Sequence, residues 1–190
     1  AFGLLSTNAP EVYLSDGGHV DNLGLYALLK RRCRLIIVVD AEADEDMHFN
    51  TFIDVQRFAR IDLGVRVNIN LEPLRDAARQ RDTHRGQRVD ADSPVHEQHF
   101  AMGKIDYGDG EPAGILLYVK ASVTGDEPDY VLAYERQHAT FPHETTGDQF
   151  FSEEQMEAYR ALGFHAMQKA LSGETDAKPE GKLPLHAVKS

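Results

Sequence analysis

The sequence predicts an α/β fold in which helices flank a parallel-rich sheet, with a β-hairpin and a helix in the C-terminal half. Two observations carry this prediction. A strand, a glycine turn, a helix and a second strand follow one another within the first 40 residues, and two later strands are joined by a glycine-rich turn. Because 190 residues with 42% hydrophobic content are enough to bury one core, we expect a single domain over residues 1–172.

The first part of the chain predicts a β-α-β unit. Residues 12–15 have strand character and end at an Asp-Gly-Gly turn, residues 16–18. Asn22 is a favourable N-cap for a helix over about residues 23–32, whose last turn is basic. Residues 35–40 are an apolar run that ends in aspartate, which predicts a strand buried on both faces. A right-handed crossover makes the two strands parallel.

The middle of the chain predicts further elements in sequence. Apolar residues at helical spacing indicate a helix over residues 50–62, which Gly64 ends, and alternation then indicates a half-exposed strand over residues 65–69. A short helix over residues 71–80 follows. Residues 81–94 are polar and unpatterned, so we expect a surface loop there.

The C-terminal part predicts a hairpin and a long helix. Residues 99–107 and 114–122 have strand character, and glycines lie in the turn between them. We expect this hairpin to add antiparallel pairing at an edge of the sheet. Ser152 and Gln155 form a capping box that begins an amphipathic helix. Residues 173–190 are expected to be a disordered tail.

The net charge of the chain limits the kinds of partner that it is expected to bind. The formal net charge of −11 argues against a general nucleic-acid or anionic-membrane surface, because attraction to phosphate needs the opposite sign. Arginines concentrate in the middle third, but acidic residues interleave them, so we interpret them as a solvated face: Arg57, Arg60, Arg66, Arg75, Arg79, Arg81, Arg85 and Arg88. We therefore expect no nucleic-acid partner.

The cysteine content and the apolar runs bear on the compartment. Cys33 is the single cysteine and precedes a strand predicted to be buried, so we expect a packed, reduced thiol. No apolar run approaches the roughly 18 residues of a membrane-spanning helix, and the first ten residues lack the basic start of a signal peptide. These features favour a cytoplasmic or membrane-associated location.

The turn at residues 16–18 places a carboxylate at the carboxyl end of a predicted strand, where open α/β sheets locate their reactive groups. Asn-Leu-Gly follows at residues 22–24, and Leu-Ile-Ile-Val-Val-Asp at residues 35–40. With these features the chain resembles the aspartate-bearing half of patatin-like phospholipases, including their cytosolic phospholipase relatives. The resemblance is strongest over residues 12–75, and two later segments resemble the ends of bacterial members: residues 141–146 and 148–151.

The resemblance implies a partial patatin-like α/β hydrolase fold and a catalytic pair of one serine and one aspartate. It implies that Asp16 is the aspartate and that the substrates are carboxylic esters of phospholipids or acylglycerols, met at the periphery of a membrane. Gly17 and Gly18 permit positive φ and a close approach of the substrate. Asn22 is expected to hold the turn by donating hydrogen bonds. We expect no cofactor and no metal.

The serine that the family requires is not found in this chain. In the family it lies in a Gly-x-Ser-x-Gly elbow before the aspartate, and a glycine-rich oxyanion loop lies earlier still. None of the serines here has glycines two positions before and two after it: Ser6, Ser15, Ser93, Ser122, Ser152, Ser172 and Ser190. We therefore expect the C-terminal portion of a longer enzyme, inactive alone, whose partner is the remaining N-terminal half.

A second function stays open beside the hydrolase. An aspartate on a turn more often caps its own backbone, so the alternative is a non-catalytic α/β module that binds or regulates a partner. A metal site formed by His19 and Asp21 beside Asp16 is disfavoured, because three groups on one loop lack a distant ligand pair.

Other polar residues have structural interpretations. Asp40 ends a strand at the same sheet edge and is expected to fix a loop rather than to react. His138, His143 and Asp148 lie in one segment with several phenylalanines, which we interpret as a loop packed by aromatic rings.

Overall fold

The computed structural model describes residues 17–85, 98–108, 110–145, 147 and 149–172, with no side-chain description at residues 19 and 20. The predicted strand at residues 12–15, Asp16, Asp148 and the predicted tail lie outside the described residues. In chain order, the helices and strands are α1 (Gly18–Asp21), α2 (Leu25–Lys30), β1 (Leu35–Asp40), α3 (Asn50–Asp62), β2 (Arg66–Ile69), α4 (Glu72–Thr83), β3 (Phe100–Asp106), β4 (Gly114–Lys120), α5 (Asp129–Gln137) and α6 (Glu153–Ser172).

Over the described residues, the strands form one mixed sheet in the order β1-β4-β3-β2. β1 is parallel to β4, whereas β3 is antiparallel to both β4 and β2. The predicted α/β class with flanking helices is confirmed, but these strands are mixed rather than parallel-rich. The reason is the hairpin of β3 and β4, which lies in the centre of the sheet rather than at its edge.

Local signals correctly predict several elements. α3 has the predicted bounds, because apolar side chains at helical spacing are buried in the core: Phe52, Val55 and Ala59. Gly64 follows it with a φ of 68°. α6 begins after Ser152, whose Oγ accepts the N–H of Gln155 at 3.1 Å. None of the described helices has the length and apolar content needed to cross a membrane.

The described helices cover the sheet on both faces. On one face, α2, α3 and α4 pack against alternate residues of β1 and β4, with Ile36, Leu116 and Tyr118 in the centre. On the other face, α6 packs against β3 and β4 through Ala166 and Ala170, which meet residues such as Leu117 and Val119. α5 packs against α6 in a separate apolar cluster.

The second face of β1 is open over the described residues. Leu35, Ile37 and Val39 are 46%, 46% and 61% exposed, while Ile36 and Val38 are buried. The prediction that this strand is buried on both faces is therefore wrong for the described part of the chain. The physical reason is the position of α6, which covers the central strands β3 and β4 but does not extend over β1.

Two helical segments differ from the sequence predictions. α4 extends to Thr83, so residues 81–83 are helical where a loop was expected. Arg81 is buried there, and its guanidinium donates to both carboxylate oxygens of Glu135, on α5. The solvated-face interpretation is therefore wrong for Arg81, although Arg57 and Arg79 are exposed as expected. α5 itself was not predicted.

Gly103 lies in β3 where the strand pairs with both neighbours. A Cβ at this position would lie 2.8 Å from Ile69 Cβ and 2.9 Å from the carbonyl oxygen of Asn68, closer than packed atoms approach. We expect Gly103→Ala to lower the free energy of unfolding by about 1–3 kcal/mol, measured by urea denaturation.

The matched control is Gly163→Ala, on α6. A Cβ at Gly163 meets nothing within 4 Å, and alanine favours the helix, so the free energy of unfolding should rise by about 0.5–1 kcal/mol. A Gly103→Ala variant as stable as the wild type would contradict the close approach of β2 and β3.

Candidate active site at the carboxyl end of β1

The glycines after Asp16 have helical rather than left-handed conformations. Gly17 has a φ of −66° and a ψ of −22°, and Gly18 is the first residue of α1. The expected use of positive φ at these glycines is therefore wrong. Gly24, with a φ of 67°, makes the left-handed step that leads into α2. Among the described residues, no atom lies within 4 Å of a Cβ built at Gly17.

Asp21, rather than Asn22, caps α2. The Asp21 carboxylate accepts the N–H of Leu23 at 3.1 Å and the N–H of Tyr26 at 2.6 Å. The bond from Tyr26 satisfies a donor that the start of a helix leaves unpaired, and the bond from Leu23 holds the turn before the helix. The helix begins at Leu25, after the left-handed glycine, and not at residue 23 as predicted.

Asn22 connects this turn to the loop that follows β1. Its Nδ2 donates to Glu42 Oε1 at 2.6 Å. The N–H of Glu42 donates in turn to Asp40 Oδ1 at 2.8 Å. Asn22 thus donates a hydrogen bond, as expected, but to the carboxyl end of β1 rather than within its own turn.

Beneath this contact, Asp40 and Lys120 form a buried ion pair between the two parallel strands. They are register partners in β1 and β4, and their side chains are 3% and 0% exposed. Lys120 Nζ donates to Asp40 Oδ1 at 3.0 Å and to the carbonyl oxygen of Glu42 at 2.8 Å. Asp40 therefore fixes the loop after β1, as expected, and its negative charge is compensated by the ammonium of Lys120.

Tyr118 completes this network as a hydrogen-bond donor. Its hydroxyl donates to Asp40 Oδ2. Burial and the negative charge of Asp40 raise the pKa of Tyr118 far above its usual range, so the phenol keeps its proton. Neither Tyr118 nor Lys120 was predicted as part of the site. The sequence does contain a signal for Lys120, which is a lysine at the end of an apolar strand. A lysine is rarely buried without a partner, so this position indicates a buried ion pair.

His143 lies above the same network. Its Nδ1 accepts the N–H of Asp44 at 3.2 Å, so this nitrogen carries the lone pair of a neutral ring. Burial and the ammonium of Lys120 lower the pKa of His143. An open groove of about 640 Å³ lies beside these residues, and its lining includes Asn22, Leu23, Val39, Glu42, Thr51 and His143.

The interpretation of the aromatic segment as a packed loop is confirmed for Phe141 but not for Phe150 and Phe151, which are 94% and 46% exposed. The His138 ring stacks on Tyr134, with centroids 3.8 Å apart and planes 11° apart. Phe141 is buried and has edge contacts with Tyr134 and Tyr159. These contacts give His138 and Phe141 structural roles.

The chain matches no protein-family model, no curated protein and no solved structure. The relevant geometry is a turn that follows Asp16 and is hydrogen-bonded, through Asn22, to the carboxyl end of a parallel strand. A compensated ion pair lies below that contact, and a groove lies beside it.

Lys120→Met tests the ion pair. The variant keeps most of the apolar stem but leaves the Asp40 carboxylate buried without its cation, so the free energy of unfolding should fall by about 3–5 kcal/mol. Urea denaturation measures this change. The double variant with Asp40→Asn should recover part of the loss, because it buries no charge. A single-variant loss below about 1 kcal/mol, as for an exposed pair, would contradict the buried geometry.

His143 should contribute to the loss of stability in mild acid. Its pKa is lower in the folded state than its ordinary value of 6.5, so the unfolded chain takes up the proton first. The free energy of unfolding therefore falls as the pH drops from about 6.5 towards the folded-state pKa. Urea denaturation over this range should show a steeper loss for the wild type than for His143→Gln. Identical pH dependence in the two proteins would contradict this role.

Proposed function

We propose that this chain is the aspartate-bearing part of a patatin-like serine acyl hydrolase, which cleaves carboxylic esters of phospholipids or acylglycerols. The observation that carries the proposal is the Asp-Gly-Gly turn at residues 16–18, together with the hydrogen bond from Asn22 to Glu42. That bond joins the segment after Asp16 to the carboxyl end of β1. Open α/β sheets bind their substrates at this edge.

Asp16 acts as the general base in the proposed reaction. It takes the proton of a serine hydroxyl while the serine oxygen attacks the carbonyl carbon of the ester. The proton then passes to the alcohol that leaves as the ester C–O bond breaks. Asp16 next takes a proton from water while the water oxygen attacks the carbonyl carbon of the acyl-serine ester. Asp16 then returns this proton to the serine oxygen as the acyl C–O bond breaks, which releases the fatty acid and the free serine. Positioned proton transfer of this kind contributes about 10²–10⁴-fold to the rate.

The serine comes from an N-terminal half outside these 190 residues in this proposal. The open face of β1 supports such an arrangement, because β1 is an edge strand among the described strands and Leu35, Ile37 and Val39 are exposed on it. An apolar edge of this kind favours association. Packing of the remaining half against β1 covers this face and adds strands to the same sheet.

The proposed place for the ester is the groove beside Asn22. Apolar Leu23 and Val39 line it together with polar Glu42 and His143, so it offers contacts for both an acyl chain and an ester group. The net charge of −11 opposes binding to anionic bilayers. The proposed lipid surface is therefore neutral or zwitterionic.

Reconstitution from two halves tests the proposal. We expect the purified chain alone to be unlabelled by a serine-reactive fluorophosphonate and inactive on a nitrophenyl ester, because acyl transfer also needs a nucleophile and oxyanion donors. Adding the separately made N-terminal half should restore labelling and turnover. In the restored protein, Asp16→Asn should lower turnover by at least about 100-fold with little change in stability.

The comparison variant is His143→Ala, which changes the lining of the groove but removes no group that transfers a proton in the proposed reaction, so it should reduce turnover only mildly. Labelling of the chain alone would reveal a nucleophile within it. Near-native turnover by Asp16→Asn would remove Asp16 from the mechanism. An inactive but correctly assembled pair of halves would favour the non-catalytic module instead.

A further inference from the structure

A cluster of two histidines and one aspartate lies at the start of β3 and under α6. His99 precedes β3, Asp126 lies in the loop between β4 and α5, and His165 lies on α6. One ligand atom from each lies within 4.8 Å of the other two. The side chains of His99, Asp126 and His165 are 0%, 8% and 15% exposed. Three separate elements therefore bring nitrogen and oxygen donors to one partly buried point.

The two imidazoles meet the same carboxylate through corresponding nitrogens. His99 Nε2 lies 3.1 Å from Asp126 Oδ1, and His165 Nε2 lies 2.9 Å from Asp126 Oδ2. The two rings are perpendicular, with centroids 5.1 Å apart. Both Nε2 atoms therefore face the Asp126 carboxylate, each at one of its two oxygens.

The hydrogen bonds of His99 leave its Nε2 without a proton when the ring is neutral. Its Nδ1 lies 3.1 Å from the carbonyl oxygen of Ser122, which can only accept, so Nδ1 carries the proton. Thr124 donates its hydroxyl proton to Asp126 Oδ1 at 2.7 Å, so it does not donate to His99 at the same time. The lone pair of His99 Nε2 then faces a carboxylate oxygen, and this contact needs either a second proton on the ring or a metal ion between the two atoms.

We propose that His99 Nε2, His165 Nε2 and the Asp126 carboxylate bind one divalent transition-metal ion of the zinc type. Two imidazoles and a carboxylate are a donor set that such ions take, with ligand distances of about 2.0–2.2 Å. The bond from His99 Nδ1 to the Ser122 carbonyl is the outer contact that typically orients a metal-binding histidine.

The spacing of the donors is close to what the ion needs. Tetrahedral ligands at those bond lengths lie about 3.3 Å apart, against 3.1 and 2.9 Å between the nitrogens and the carboxylate oxygens here. The three ligand atoms lie within 4.8 Å of one another, so the two rings must move towards a common point as the ion binds. Water supplies the fourth ligand from the side of α6, where His165 reaches the surface.

Lys169 competes with the ion in this proposal. Its Nζ lies 2.9 Å from Asp126 Oδ2, and its side chain is 22% exposed. The ammonium therefore has to move away as the metal binds. Glu127 is held beside the cluster, because its two carboxylate oxygens accept the N–H groups of Thr124 and Gly125 and its Oε1 lies 3.9 Å from His99 Nε2. The bound ion links α6 to the start of β3 and to the loop after β4.

The test is a titration of the chelator-treated chain with Co²⁺, followed by visible absorption and isothermal calorimetry. We expect one Co²⁺ per chain, with ligand-field bands that one equivalent of Zn²⁺ removes. Asp126→Asn and His165→Gln should each weaken Co²⁺ binding at least about tenfold. Lys169→Met should bind Co²⁺ at least as tightly as the wild type, because it removes the competing ammonium.

Two controls exclude other ligands. His48→Gln changes an imidazole that is 63% exposed and outside the cluster, and Cys33→Ser removes the thiol. Both should bind Co²⁺ as the wild type does. Circular dichroism establishes that each variant is folded. His165→Gln is the variant that should disturb the core least, because His165 lies on the partly exposed side of the cluster.

The proposal is overturned if millimolar Co²⁺ gives no ligand-field band in the wild-type chain. It is also overturned if folded His165→Gln and Asp126→Asn both bind as tightly as the wild type, which would place the ion elsewhere. In either case a second proton on His99, donated to Asp126, accounts for the cluster. Because this test measures metal binding rather than esterase activity, its outcome is independent of the proposed hydrolase.

Discussion

The ion pair between Asp40 and Lys120 is the interaction on which the arrangement at the carboxyl end of β1 depends. Burying either charge alone costs several kcal/mol, so the two residues must occupy the same register position on adjacent strands. A slip of one residue would turn each side chain to the opposite face of the sheet. The pair therefore specifies how β1 aligns with β4, and through the carbonyl oxygen of Glu42 it holds the loop that Asn22 contacts.

One segment of the chain connects the two polar networks. Tyr118 and Lys120, in β4, hold the end of β1, whereas residues 122–126 hold the start of β3 and one side of α6. β4 lies in the centre of the sheet with a strand on each side, and residues 121–126 continue directly from its end. A change in the backbone path of this segment would therefore alter the hydrogen bonds of both networks. This coupling follows from the place of β4 between β1 and β3.

The sequence predicts what is decided within a few residues. The bounds of α3, the stop at Gly64 and the cap at Ser152 each follow from side chains close in the chain. The failures involve distant partners. The length of α4 and the burial of Arg81 depend on Glu135, which lies 54 residues away. The apolar run of β1 correctly predicts a strand, but whether each face is covered depends on α6, more than a hundred residues later. The residues His99, Asp126 and His165 lie too far apart in the sequence to form a local motif, so the sequence alone does not predict their cluster.

Two lysine–aspartate pairs among the described residues differ in burial and are therefore different kinds of interaction. Lys120 is fully buried, and its ammonium donates to Asp40 and to a backbone carbonyl, so it has no solvated position to move to. Lys169 reaches solvent at the edge of α6, where its ammonium can be hydrated as it leaves Asp126. The first pair is therefore a permanent part of the fold. The second is one that a competing cation can displace, and that difference in exposure is why the carboxylate of Asp126, and not that of Asp40, is suited to exchange its partner.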